Sequence, residues 1–354
     1  MGSVSPLLAI ALDLRKQKPD IDFLFLGTKN GPEKDFVEKF NIKFKSIASG
    51  KLRRYFDVQN LLTPFLIIVG FFQSLKVIRQ YQPDIVLSAG SFVSVPIVWA
   101  AKFLKKKIMV HQMDLKVGLA NKLMAPFADK ITIMFQDTIK FFPKEKTVVL
   151  GNPYLKDILE GSREEAISEL KLEPNLPTIL VLGGGLGALK INQLVLESLP
   201  KLLKNFQVIL VLGKGKYVEG VEKIVDQNLI SRLHTFEVIF GKTKGNIFAA
   251  ADLIITRAGI STLTELSVLE KPIIIVPIPN SQQEDNANFF QSNNAAIVLN
   301  QKEITSENLT EKINQLFQEK GELERLKNNI GKIVPKDANE RFIKVMDELL
   351  GNFA

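Results

Sequence analysis

Short apolar runs alternate with helix-like stretches along almost the whole chain, and this alternation limits the fold more than any single motif does. The runs fall at residues 23–26, 85–88, 107–110, 130–134 and 147–150, then at 178–182, 207–212, 237–240, 253–256, 272–276 and 296–299. Near-continuous apolar strands of this length suit parallel sheets with helices on both faces. At 354 residues and 46% hydrophobic content, two cores are expected rather than one. Gly151, Asn152 and Pro153 follow one run and precede a helix-like segment, which makes them the natural joint. A second break near Val334 and Pro335 completes the expected layout: one domain over 1–152, another over 153–334, and a tail, 335–354, whose helix returns to the first domain. Residues 2–17 read as a glycine turn and a helix with no strand before them, so a truncated start is expected.

The absence of cysteine excludes disulfides and thiolate metal sites, and two histidines, His111 and His234, are too few for a histidine cage. Asp20 and Asp22 lie in a charged connector rather than at a strand end, so no metal and no cofactor is called for. Charge is unevenly spread. Residues 1–152 carry 23 basic and 12 acidic side chains, a surplus of +11, against a net +8 for the whole chain. That half lacks the interleaved aromatic and basic residues of a single-strand binder, which argues against nucleic acid and for an anionic membrane surface. The most apolar run, residues 61–72, is interrupted by Pro64 and Gly70 and is too short to cross a bilayer. Lys51, Arg53 and Arg54 before it and Lys76 and Arg79 after it suit a segment lying at the lipid interface, with a buried core helix as the alternative.

Motifs cluster in the second half. Residues 253–265 read LIITRAGISTLTE: a strand runs into Arg257, Ala258 and Gly259, and a helix then opens with Ile260, Ser261 and Thr262 and carries Glu265 one turn in. A tight turn at Gly259, a cap from Ser261 or Thr262, free helix N–H groups for an anion and a carboxylate for ribose hydroxyls make this a nucleotide-binding layout. Gly183, Gly184, Gly185 and Gly187 follow the strand ending at Leu182, where backbone N–H groups can meet phosphate. Gly183, Gly185 and Ala188 also satisfy a relaxed dinucleotide fingerprint, but the acidic residue expected about 20 positions on is missing, and a plain tight turn is the other alternative. After the strand ending at Val276, Gln282, Gln283 and Asn286 supply amide groups suited to sugar hydroxyls. In the first half, His111 lies three residues before Asp114, which makes the two candidates for general base, with a lone satisfied structural histidine as the equal alternative for His111.

Together these residues resemble the MurG family of glycosyltransferases, over nearly the whole chain. Residues 2–11, GSVSPLLAIA, are similar to the end of that family's first glycine loop; residues 90–96, GSFVSVP, to its second; residues 111–122, HQMDLKVGLANK, to a segment that usually begins His-Glu and ends Asn-Lys. TRAGISTLTE, 256–265, is the most specific match. The resemblance implies an α/β fold of the GT-B type, two doubly wound Rossmann-like domains facing a cleft. It further implies an inverting transfer of N-acetylglucosamine from UDP-N-acetylglucosamine to the 4-hydroxyl of an undecaprenyl-diphosphate-linked muramoyl-peptide, at the anionic inner leaflet of the cytoplasmic membrane. On that basis Glu265 takes the ribose, Ile260, Ser261 and Thr262 the diphosphate, Gln282 and Gln283 the sugar, and Arg257 braces the turn. Gly2, Ser3, Gly90, Ser91 and Asn121 fall on the acceptor side. The chain departs from the family pattern at Ser3 (histidine), Gln112 (glutamate), Leu155 (arginine), Gly185 and Leu186 (serine and glutamine), and Leu210 and Val211 (histidine and glutamine). Two rivals remain at this stage: a non-catalytic relative that binds the sugar nucleotide or the lipid precursor, and a UDP-sugar 2-epimerase.

Overall fold

Wherever described strands pair, they pair in parallel, as the apolar runs require. The computed structural model describes residues 2–50, 59–183, 189–215, 225–319 and 321–351. The chain divides into two units, Met1–Leu155 together with Pro335–Ala354, and Lys156–Val334.

The first unit holds β1 (Leu24–Gly27) and β2 (Lys43–Ser46) as one sheet, and β3 (Ile85–Ser88), β4 (Lys107–Gln112), β5 (Lys130–Ile133) and β6 (Thr147–Val149) as another, in that order. Its helices are α1 (Ser5–Gln17), α2 (Glu33–Glu38), α3 (Gln59–Tyr81), α4 (Ser94–Phe103) and α5 (Leu119–Met124). Pro6 opens α1, where its missing N–H costs nothing. Ile10 and Leu14 of α1 pack in one cluster with Phe23, Ile85 and Leu87, so this helix bridges the two sheets.

The second unit is a six-stranded sheet in the order β12-β11-β10-β7-β8-β9: β7 (Thr178–Leu182), β8 (Gln207–Val211), β9 (Leu233–Phe236), β10 (Leu253–Thr256), β11 (Ile273–Ile275) and β12 (Ile297–Val298). Its helices are α6 (Arg163–Leu170), α7 (Leu189–Leu202), α8 (Gly241–Ala250), α9 (Ile260–Val268), α10 (Gln282–Ser292), α11 (Ser306–Gln318) and α12 (Glu322–Ile330). The central strands are buried on both faces, with Val181, Leu210 and Ile255 packed against Val195, Leu199 and Ile313. The last helix, α13 (Ala338–Leu350), lies in the first unit. There Asn339 donates to Asp13 Oδ2 at 2.8 Å and to the Tyr154 carbonyl at 3.0 Å, while Phe342 and Met346 join the cluster around Met109.

Two strands differ from the sequence reading. β2 was not anticipated, because Lys43 and Lys45 interrupt its apolar pattern at the edge of a two-stranded sheet. The strand expected at 237–240 is a connector, and β9 lies just before it. β9 borders the sheet and tolerates His234 and Thr235, whereas the apolar residues after it are surface contributors, Val238 and Phe240 being exposed. Gly70, read as a break, sits inside the continuous helix α3, where a Cβ would come within 2.1 Å of the Ala48 carbonyl oxygen.

His111, proposed from sequence as a base, is instead a fully buried brace. Its Nδ1 lies 2.9 Å from the Thr132 hydroxyl and its Nε2 3.0 Å from Asn152 Oδ1, which ties β4 to β5 and to the segment after β6. Phe342 packs edge-on to the ring. Desolvation lowers its pKa from 6.5 to about 4, so the imidazole is neutral at physiological pH and has no exposed nitrogen to offer a substrate.

Two predictions follow from this packing. Between pH 6.5 and 4 the unfolded chain takes up a proton on His111 that the native protein does not. Stability is therefore complete above pH 6.5 and falls as the solution is acidified through that window, by roughly 2 kcal/mol at pH 5. Urea midpoints at pH 7 and pH 5 measure this, and His111→Asn should flatten the difference. In the second unit, a Cβ at Gly161 would lie 2.1 Å from the Gly245 carbonyl oxygen, so α8 and the start of α6 meet backbone to backbone. Gly161→Ala should cost about 1–3 kcal/mol, read by chemical denaturation.

Candidate active site

In the second unit, register sets the geometry. Leu182 pairs with Val211 and Thr256, Val211 with Phe236, and Thr256 with Ile275, so five strands end in one row. The loops that leave this row are the ligand-binding edge of an open α/β sheet. Gly183 is buried there, its N–H donating to the Val211 carbonyl at 3.3 Å. Gly184, Gly185 and Gly187 lie outside the described residues.

The next loop carries Arg257 to Gly259 and opens α9. Arg257 Nη1 donates to the Val276 and Pro277 carbonyls at 2.9 and 3.3 Å, tying this loop to the one after β11. Asn286 is buried and donates to the Ala258 carbonyl at 3.2 Å, so it braces the same turn rather than facing a sugar. Gly259 is the N-cap, with φ −74°, and Ser261 and Thr262 lie inside the first turn; the cap expected from one of them is not formed. Nor does the backbone demand glycine here, because a Cβ at Gly259 would meet nothing within 4 Å. What the small residue leaves is open space beside the helix start, whose N-cap has no side chain to offer. Such an end carries partial positive charge and suits a diphosphate.

Glu265, on the second turn of α9, is almost buried and accepts from Lys244 Nζ of α8 at 2.6 Å. Sequence reading missed Lys244. It stands 21 positions away in a polar run, GKTKGN, that gave no sign of facing a carboxylate. Ser281 caps α10 by accepting from the Gln283 N–H. Gln282 is exposed, while Gln283 Oε1 accepts from the Ile278 N–H at 3.2 Å. Phe240, exposed just before α8, was also missed; an exposed ring at a strand-to-helix turn offers a face to a base.

The corresponding edge of the first unit gathers the other candidates. Gly90 and Ser91 both have positive φ, 91° and 92°, and Ser91 is not glycine, so this loop holds local strain of the kind found at functional sites. A Cβ on Gly90 would lie 3.4 Å from Asn121 Oδ1. Asn121 is buried; its Nδ2 donates to the His111 carbonyl and to Gln112 Oε1 at 3.1 and 2.6 Å, while Oδ1 has no partner. Gln112 in turn donates to the Asp114 carbonyl at 2.6 Å, fixing the loop that presents the half-buried Asp114. Gly2 and Ser3 form the turn before α1. Of the two base candidates only Asp114 reaches the surface.

The cavity of about 440 Å³ lined by Arg163, Asp252 and Lys271 lies at the opposite edge, where β7, β10 and β11 begin. Its Arg163–Asp252 pair closes at 2.8 Å, and it takes no part in this site.

Comparison with known proteins agrees with this layout. The glycosyltransferase family 28 N-terminal domain matches residues 1–133, and the family 28 C-terminal domain matches residues 178–342. The chain is 36% identical over 351 residues, 98% of its length and 96% of the relative's, to UDP-N-acetylglucosamine--N-acetylmuramyl-(pentapeptide) pyrophosphoryl-undecaprenol N-acetylglucosamine transferase 2 of Bacillus cereus. It is 35% identical, with the same coverage, to the transferase of that name from Lachnoclostridium phytofermentans. Among solved structures, Acinetobacter baumannii MurG aligns with TM-score 0.75 at 23% identity, covering 98% of this chain and 96% of that one. The Neisseria meningitidis UDP-GlcNAc 2-epimerase aligns with TM-score 0.68 at 16% identity, covering 98% and 97%. The fold is therefore GT-B, and at this identity and coverage the chain belongs to the MurG family of glycosyltransferases.

Proposed function

We propose that this protein transfers N-acetylglucosamine from UDP-N-acetylglucosamine to the 4-hydroxyl of undecaprenyl-diphosphate-linked muramoyl-peptide, the step that completes the lipid-linked disaccharide of peptidoglycan. The observation that carries this reading is near-full-length identity to transferases named for that reaction, joined to a strand-end row shaped for a sugar nucleotide. Residues 153–334 hold the donor: Glu265 the ribose hydroxyls, Phe240 the base, the α9 start at Ile260, Ser261 and Thr262 the diphosphate, and Gln282 and Gln283 the sugar. Gly183, Gly184, Gly185 and Gly187 offer backbone N–H groups to the phosphates. Residues 1–152, with the tail 335–354, hold the acceptor near Gly2, Ser3, Gly90, Ser91 and Asn121.

Chemistry is one displacement. The 4-hydroxyl oxygen attacks the anomeric carbon from the face opposite UDP, the glycosidic bond to the diphosphate breaks, and configuration inverts. Asp114 accepts the hydroxyl proton and passes it to solvent. Negative charge that develops on the leaving diphosphate meets the N–H groups of α9, a stabilisation that needs no reorganisation at the moment of reaction.

The acceptor is lipid-linked, and the first unit carries a surface to meet it. On α3 the side chains of Phe65, Ile68 and Phe72 are 65%, 54% and 63% exposed at helical spacing, and Phe103 is 65% exposed. Ring contacts from Phe71 to Phe72 and to Phe103 join these into one patch. Exposed Lys76, Arg79, Lys102 and Lys105 flank it, each worth about 1 kcal/mol near anionic headgroups. No described helix is long and apolar enough to cross a membrane; the apolar patch with its basic rim suits peripheral docking on the anionic cytoplasmic leaflet. Lys51, Arg53 and Arg54 lie outside the described residues.

Incubation of the protein with UDP-N-acetylglucosamine and the lipid acceptor should release UDP and form a disaccharide. Isomerised donor in the absence of acceptor would assign an epimerase instead, and donor binding without turnover a scaffold. Glu265→Ala should weaken the donor by about tenfold or more, and Asp114→Asn should lower kcat by about 10²–10⁴ with little change in donor KM. Phe65→Ser combined with Phe72→Ser should abolish flotation with vesicles containing anionic lipid and leave donor binding in solution unchanged.

A further inference from the structure

The Lys244–Glu265 pair is hard to explain as scaffolding. The Glu265 side chain is 8% exposed and that of Lys244 23%, so both charges are largely withdrawn from water, and pairs of this kind return little net stability. Docking of α8 onto its neighbour is already provided for: Lys242 and Asn246 reach Glu165 of α6 at 2.8 and 2.9 Å. Lys244 points elsewhere. Its ammonium lies 5.2 Å from the centroid of the Phe248 ring, which limits its swing and holds it on Glu265. A carboxylate offers about four lone-pair positions and Lys244 uses one, so both hydroxyls of a ribose still find acceptors.

We propose that Lys244 is the positioning residue of the donor site, holding Glu265 in one rotamer so that its carboxylate meets the 2′- and 3′-hydroxyls of a nucleoside diphosphate. This rests on the ribose-binding reading of Glu265. A glutamate side chain loses rotamer freedom when it clamps a ligand, and a glutamate already pinned by Lys244 has met that cost before the ligand arrives. Lys244 thereby sets the affinity for any ligand that presents a ribose diol, and not for the sugar beyond the diphosphate.

Calorimetric titration of the full chain with UDP and with 2′-deoxy-UDP tests this, using Lys244→Met, Lys244→Arg, Glu265→Gln and the double variant K244M/E265Q. Lys244→Met should weaken UDP by about tenfold, the scale of one charge-assisted hydrogen bond, and Lys244→Arg should restore most of the loss. The loss should shrink for 2′-deoxy-UDP, and the double variant should bind UDP no more weakly than Glu265→Gln alone. In turnover, Lys244→Met should raise the donor KM and leave kcat in place. UDP affinity unchanged by Glu265→Gln would remove the ribose reading itself. A Glu265→Gln defect combined with unchanged or tighter binding by Lys244→Met would overturn only the role given to Lys244, tighter binding meaning that the lysine blocks the diol. Should Lys244→Met not fold, the charge-free double variant decides: UDP affinity equal to that of Glu265→Gln supports the proposal, and a further loss defeats it.

Discussion

Parallel register across the second sheet is the constraint on which the site depends. Because Phe236, Val211, Leu182, Thr256 and Ile275 stand in one row, five loops leave the sheet at the same height and can address one ligand. A slip of one residue would move a loop by about 3.3 Å and turn its buried side chains outward. Apolar strands buried on both faces make such a slip costly, and the tie from Arg257 to the Val276 and Pro277 carbonyls then locks two of the loops to each other. Burial lowers the pKa of Arg257 without discharging it, so the guanidinium stays a fixed pair of donors rather than a group that titrates.

This arrangement divides the work between buried and exposed groups. Arg257 and Asn286 donate to backbone carbonyls and shape the turn; the helix start they shape has glycine at its N-cap and open space beside it. In the first unit the division repeats. His111, Asn152 and Thr132 form a neutral buried network, and Gln112 and Asn121 carry it outward to the loop that holds Asp114. The strained Gly90–Ser91 turn beside the unpartnered Asn121 oxygen is where that network meets solvent chemistry.

Much of this was legible in the sequence, and the limits have physical causes. Periodicity located the interior strands β7 and β10 to the residue, since burial on both faces leaves an unbroken apolar signal. It misplaced β9 and passed over β2, both at sheet edges, where Lys43, Lys45 and His234 are tolerated. The loop from Arg257 to Glu265 was readable because its turn and helix lie within a few residues of one another. Lys244 was not, because pairing between residues on different helices follows from three-dimensional packing, which spacing along the chain does not encode. His111 illustrates the reverse error: a histidine at a strand end looked catalytic until Thr132 and Asn152 were found on its two nitrogens.

The departures from the family pattern also gain a physical sense. Gln112 and Leu155 stand where the family carries charge, and both are buried: Leu155 packs with Val4 and Leu8 of the α1 region, and Gln112 lies within the Asn121–Asp114 network. Leu210 lies in the core of the second unit, and Val211, the buried last residue of β8, stands in the strand-end row itself. At Gln112 and Leu155 a neutral side chain fills a site where an ion would need a partner, so the exchange favours packing without asking for a compensating charge. One consequence falls on catalysis. With a glutamine at position 112 and a neutral, enclosed His111, Asp114 is the one carboxylate in the segment from 111 to 118, so the displacement proposed above leaves the hydroxyl proton to this single acid rather than to a pair sharing the task.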